Sequence, residues 1–155
     1  LGAAAPGVGA LGLRTSMRNQ WPCEVLRVES GQAVARVRLR LGPAGGGAVE
    51  LVARVTRESA ELLGLCPGLR ALVLCKATAV KVAATGVVGR RAGARNRLEG
   101  TVARIARSES GDEVSLQLAP AVRLVGFAPP GMMGRLGSAA VATIAETALV
   151  VALVD

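Results

Sequence analysis

Arg18-Asn19-Gln20-Trp21-Pro22-Cys23-Glu24-Val25-Leu26-Arg27-Val28 returns downstream as Arg95-Asn96-Arg97-Leu98-Glu99-Gly100-Thr101-Val102-Ala103-Arg104-Ile105. Both copies open on Arg-Asn and lead into an alternating apolar run. Self-similarity of this kind divides a chain into repeated supersecondary units, here two. A chain of 155 residues leaves each module about 65 residues, barely enough for a barrel to bury a core of its own. The modules are therefore expected to pack together or to dimerise.

The first copy continues with Val37, Leu39 and Leu41 alternating with Arg36, Arg38 and Arg40, the period-2 pattern of a strand with one dry and one wet face. The arginine stripe is either a solvated sheet face or a binding surface. Gly42-Pro43-Ala44-Gly45-Gly46-Gly47 then turns the chain into a second strand over Val49 to Val55. In Thr56-Arg57-Glu58-Ser59-Ala60-Glu61-Leu62-Leu63-Gly64, Thr56 suits an N-cap and Gly64 a C-terminal stop, so a two-turn helix follows. Leu69 to Val82 reads as one or two strands interrupted by Lys76-Ala77-Thr78. Five short strands with a helical turn suggest an OB-like barrel. The expected fold is all-β, two tandem OB-like five-stranded barrels with at most a short helix each: 15–84 and a degenerate 93–155, after a linker or truncated segment over 1–14.

Composition narrows the function. The residues are 51% hydrophobic, yet Trp21 and Phe127 are the only aromatics, so the core must be aliphatic. The formal charge of +8 suits nucleic acid, an acidic surface or a small anion, or reflects only an arginine-rich proteome with solvated strand faces. Base stacking on aromatic platforms, the usual route to sequence-tolerant nucleic-acid binding, is disfavoured. Cys23, Cys66 and Cys75 form no CxxC pair and have no histidine to complete a metal site, which points to reduced core or turn residues, no metal centre and a cytoplasmic setting. Leu1 to Leu13 lacks a basic n-region, and Gly137 to Val154, though apolar, contains Glu146 and reads as buried strand, so no membrane association is expected.

No histidine, paired carboxylate, activated cysteine, Walker loop or dinucleotide fingerprint is present, and the chain is not expected to be an enzyme. What remains is a set of hydrogen-bond donors: Thr15, Ser16, Arg18 and Asn19 before the first strand, Thr56 and Ser59 at the helix start, Lys76 and Thr78 in the last strand. Each has an ordinary structural explanation as a cap, a loop residue or a surface charge. Together they suit a tetrahedral dianion, for which Arg18 supplies a planar fork and Lys76 a compact charge.

Thr15-Ser16-Met17-Arg18-Asn19-Gln20-Trp21, Thr56-Arg57-Glu58-Ser59-Ala60 and Cys75-Lys76-Ala77-Thr78-Ala79-Val80, in this order, resemble the Mop (TOBE) domain of molybdate-binding proteins. The stretch Leu11-Gly12-Leu13-Arg14-Thr15-Ser16 running into Arg18-Asn19-Gln20-Trp21 is most similar to the C-terminal tandem Mop region of molybdate-dependent transcriptional regulators. That resemblance implies molybdate or tungstate as ligand, a homodimer, and contact with DNA only through an N-terminal domain that this sequence does not contain. It further implies that Ser16, Arg18, Lys76 and the Ala77 backbone hold the oxyanion, with Thr56 and Ser59 contributed by the other subunit. In the second copy Gly93 replaces Ser16, Phe127-Ala128-Pro129-Pro130-Gly131 replaces the Thr-Arg-Glu-Ser block, and Lys76 aligns near Ala145-Glu146. A carboxylate in place of a cation repels a dianion, so one site per chain is expected, in the first module. A site made only of donors accepts fully deprotonated molybdate, whereas protonated phosphate needs an acceptor; sulfate must be excluded by size, and tungstate is not excluded. A sensor domain, a free-standing molybdate store and a basic OB-like nucleic-acid binder remain as alternatives.

Overall fold

A computed structural model describes residues 14–44, 49–86 and 95–153. The leading segment through Leu13, the glycine-rich end of the first turn and the Gly93 position lie outside the described residues. The first copy of the repeat forms β1 (Asn19–Ser30), β2 (Val34–Leu41), β3 (Glu50–Thr56), α1 (Arg57–Leu63) and β4 (Arg70–Cys75), followed by a 3-10 turn (Ala77–Ala79) and β5 (Lys81–Ala84). The second copy forms β6 (Arg95–Ala106), β7 (Asp112–Ala119), β8 (Val122–Ala128) and β9 (Ala139–Ala145), then a 3-10 turn (Glu146–Ala148) and β10 (Val150–Ala152). Among the described residues the fold is all-β with one short helix, as the alternation suggests.

The repeat holds at the level of register. A bulge interrupts β1 between Val25 and Arg27 and β6 between Val102 and Arg104, at matching positions of the two copies. A bulge sharpens local twist and curls the long first strand toward barrel closure. Local patterns also end α1 as read: the Thr56 side chain accepts the Ser59 N–H, and Gly64 adopts φ 65° after the last helical residue.

The last strand of each copy crosses to the other. One sheet has the order β10-β4-β1-β2-β3, and the closed barrel runs β5-β8-β7-β6-β9. β5 lies antiparallel to β9 from Lys81–Thr143 to Ala84–Ala140, and β10 returns to pair with β4 at Val150–Leu74. Gly126 makes the first crossing possible, since a Cβ there would stand 2.7 Å from Val80 Cγ1 and 2.8 Å from Val82 Cγ2. The exchange answers the size problem: one hydrophobic cluster joins Val37, Leu39 and Leu51 of the first copy to Val114, Leu124 and Ile144 of the second.

The repeated Arg-Asn dipeptide supplies a second bond between the copies. Asn19 donates through Nδ2 to the Val125 carbonyl at 2.9 Å and accepts the Val125 N–H at 2.8 Å; Asn96 does the same to Val52, at 2.9 and 2.8 Å. Each amide thus imitates one residue of a neighbouring strand on β8 or on the edge strand β3. An open strand edge presents unpaired N–H and C=O groups, and here a buried asparagine satisfies a pair of them. Trp21 reinforces the junction by donating its indole N–H to the Arg123 carbonyl at 2.8 Å.

Candidate functional site

β1 and β4 are antiparallel neighbours, with Asn19 opposite Cys75. This pairing sets the residues just before β1 beside those just after β4. Ser16, Arg18, Lys76 and Ala77 accordingly line one cleft of about 330 Å³ with Thr78. The far wall belongs to the second copy, through Glu113 of β7 and Phe127 of β8. The cleft is therefore a junction between modules rather than a pocket within one.

Lys76 departs from expectation. The sequence suggests a lysine interrupting a buried strand; instead it occupies the cap position before the 3-10 turn, with its side chain exposed. The Ala79 N–H bonds back to the Lys76 carbonyl at 3.0 Å, so the chain leaves the sheet at this point and the ammonium is free to point outward. Arg18 is half-exposed, and its Nη1 donates to Glu113 Oε1 at 3.1 Å. Arg104 approaches the other Glu113 oxygen at 3.8 Å. Thr78, exposed beside Lys76, adds a hydroxyl. Phe127 adds an aromatic wall, anchored where its N–H donates to the Val80 carbonyl at 3.0 Å.

Thr56 and Ser59 do not join this cleft. They sit at the start of α1, where the Thr56 hydroxyl donates to Ser59 Oγ at 2.7 Å and accepts the Ser59 N–H at 3.0 Å. The helix lies against β2 and β3. Glu113 was not visible as a site residue because β7 brings it across the junction only in three dimensions. Phe127 was conspicuous in composition, but nothing local ties it to Lys76. A donor-only cleft is also corrected by Glu113, an acceptor on the wall.

The arginine stripe of β2 resolves into ion pairs. Arg38 stands 3.5 Å from Glu50 and Arg40 3.8 Å from Glu24, while Arg36 makes a two-pronged contact to Glu146 at 3.1 and 2.9 Å. Glu146 is buried, and the Arg36 hydrogen bonds hold its carboxyl below the ordinary carboxylate range, with Arg54 adding a smaller effect in the same direction. Asp112, also buried, is held low by the N–H groups of Gly131 and Ser108 and by Arg107. Among the described residues no group of three or more His, Cys, Asp or Glu side chains is placed to hold a metal ion. No helix among them is long and apolar enough to cross a membrane.

A family model for the TOBE domain matches residues 15–82. The first module, residues 15–82, is a TOBE domain. Relatives of the chain include the molybdenum-pterin-binding protein MopB of Rhodobacter capsulatus, 39% identical over 70% of the chain and 38% of MopB. The molybdenum transport protein ModE of Herbaspirillum seropedicae is 34% identical over 70% of the chain and 38% of its own length. The matched region thus spans well under half of either relative. Among solved structures, the cytoplasmic molybdate-binding protein ModG with molybdate bound superposes with a TM-score of 0.79 at 28% identity, covering 92% of this chain and 100% of that one. The tandem OB-like architecture is shared with ModG along its entire length.

Proposed function

We propose that the chain binds molybdate, or tungstate, in the cleft between its modules and that it is a binding domain rather than an enzyme. The observation that carries this reading is the convergence of Ser16, Arg18, Lys76, Ala77 and Thr78 on one opening. A tetrahedral dianion accepts hydrogen bonds on every oxygen, and a guanidinium, an ammonium and two hydroxyls suit it. Glu113 shapes the selectivity: Arg18 has to turn from that carboxylate to the anion, so binding exchanges an internal ion pair for a ligand contact.

Thr56 and Ser59, absent from this cleft, would act from a second copy of the chain in a homodimer. The intact donor set then divides between two subunits, and one oxyanion is held per first module. The likeness to ModE supports a role as the molybdate-sensing part of a transcriptional regulator, with DNA contacted by a separate N-terminal domain. The full-length match to ModG supports a second reading, a free-standing cytoplasmic molybdate-binding protein. A transcript that continues upstream of Leu1 into a DNA-binding domain favours the sensor.

Calorimetric titration with molybdate, tungstate, sulfate and phosphate tests the binding reading. Heats with the first two at micromolar concentration are expected. Lys76→Ala removes one charge-assisted contact, worth about 1.5 to 3 kcal/mol, or roughly 10- to 150-fold in affinity. Unchanged affinity in Lys76→Ala moves the site elsewhere, and no heat from the wild-type chain with either anion ends the oxyanion reading.

A further inference from the structure

The second module carries a counterpart of the candidate cleft, and strand register identifies it residue by residue. Arg36 faces Glu29 across β1 and β2 where Glu113 faces Ala106 across β6 and β7. Arg36 in turn faces Arg54 where Glu113 faces Phe127. Lys76 precedes the first 3-10 turn as Ala145 precedes the second, so Glu146 stands where Ala77 stands. The wall of Arg18, Lys76 and Ala77 opposite Glu113 and Phe127 is thus matched by Arg95, Ala145 and Glu146 opposite Arg36 and Arg54.

Between the 3-10 turn and the strands it faces, the charges at the two junctions are reversed. In the first, cations on the near wall face a carboxylate across the gap. In the second, a buried carboxylate faces two guanidinium groups. Glu146, its side chain 3% exposed, receives Nε and Nη2 of Arg36 and lies 3.5 Å from Nε of Arg54. That Arg54 Nε is buried and has no hydrogen-bond partner. Glu146 Oε1 keeps an acceptor position for it, but the carboxylate, held by the Arg36 fork, leaves the Arg54 contact long. A tetrahedral oxyanion, with four oxygens directed away from one plane, can meet both guanidinium groups at short distance.

We propose that the Arg36–Arg54 junction is a second oxyanion site, occupied in this chain by its own Glu146 carboxylate and open to a tetrahedral dianion once that carboxylate is removed. The choice of ligand rests on the reading of the first cleft; the site itself rests on the two arginines and their buried anion. Self-occupation has a consequence for the intact protein. One junction is closed permanently by a covalently attached anion, and only the other answers to ligand, so the tandem repeat carries a single responsive site.

The test is a calorimetric titration of the wild-type chain, Glu146→Ala and Arg36→Ala/Glu146→Ala with molybdate in oxyanion-free buffer. The stoichiometry is expected to rise from one anion per chain in the wild type to two in Glu146→Ala and to return to one in the double variant. One anion in both the wild type and Glu146→Ala overturns the proposal and leaves the first cleft intact. None in the wild type but one in Glu146→Ala overturns the first-cleft reading and leaves this one. If Glu146→Ala does not fold in chloride, its refolding yield is compared in millimolar molybdate and in sodium chloride of equal ionic strength. Rescue by molybdate is expected, and equal yields overturn the proposal.

Discussion

Asn96→Ala is the sharpest probe of how the two modules are joined. Asn96 is 8% exposed, and its side chain makes three hydrogen bonds: with the Val52 N–H and C=O at 2.8 and 2.9 Å and to the Ile144 carbonyl at 3.4 Å. A neutral bond contributes about 1 kcal/mol net, and a partner left without one costs about 1 to 3 kcal/mol. The long bond to Ile144 counts for little, and Val52, only partly buried, regains some solvation from water. Truncation is therefore expected to lower the stability by about 2 to 4 kcal/mol. Urea unfolding reads this directly, because Trp21 is the single tryptophan, is 4% exposed and spans the junction. Fluorescence and far-ultraviolet circular dichroism should shift together. Asn96→Asp supplies a signature that mere loss of packing cannot mimic. It keeps an acceptor for the Val52 N–H but sets a carboxylate against the Val52 carbonyl, so its folded-state pKa is raised and its deficit shrinks as pH falls and the acid regains a proton to donate. A loss below about 0.5 kcal/mol for Asn96→Ala, in the range of ordinary surface substitutions, would refute the clamp.

Glu113→Gln should tighten oxyanion binding, since it removes a charge that repels the dianion and frees Arg18. At a separation on the order of 6 Å in a water-like dielectric the repulsion is about 1.4 kcal/mol, or tenfold in affinity, and weaker binding by the variant contradicts the assigned cleft. Acid stability follows from Glu146 and Asp112, whose folded-state pKa values are both depressed. Such groups contribute stability above their unfolded values and lose it as pH falls through the depressed ones, so urea resistance should hold from neutrality to the ordinary carboxylate range and decline below it. Glu146→Gln should flatten that decline, and an unaltered slope removes Glu146 from the account. Burial pushes the Cys23 and Cys75 thiols up to about 11, whereas Cys66 is exposed. At pH 8 a thiol reagent should therefore label one cysteine rapidly in the native chain and all three after unfolding, with a second fast thiol counting against the packing described.

Much of this protein is legible in short windows. The Arg-Asn repeat announces two modules, alternation in Val37, Leu39 and Leu41 gives a strand with a wet arginine face, and Thr56 and Gly64 bound the helix, because strand faces and caps depend on residues a few positions apart. The resemblance of the Ser16-Met17-Arg18 and Lys76-Ala77-Thr78 blocks to the TOBE domain also marks the near wall of the cleft. Other features depend on contacts between distant segments, which no local pattern encodes. Lys76 leaves the sheet because the 3-10 turn has to carry β5 across to the second barrel. Glu113 and Phe127 become the far wall only because that exchange brings the modules face to face. Glu146, which by sequence appends a repelling charge to a degenerate copy, is in the folded chain the bound anion of two arginines contributed by the other copy. Sequence determined the repeat, the strands and the residues of the near wall; tertiary structure decided where the two copies meet and which charges face each other there, since both follow from strand exchange and from ion pairs formed across it.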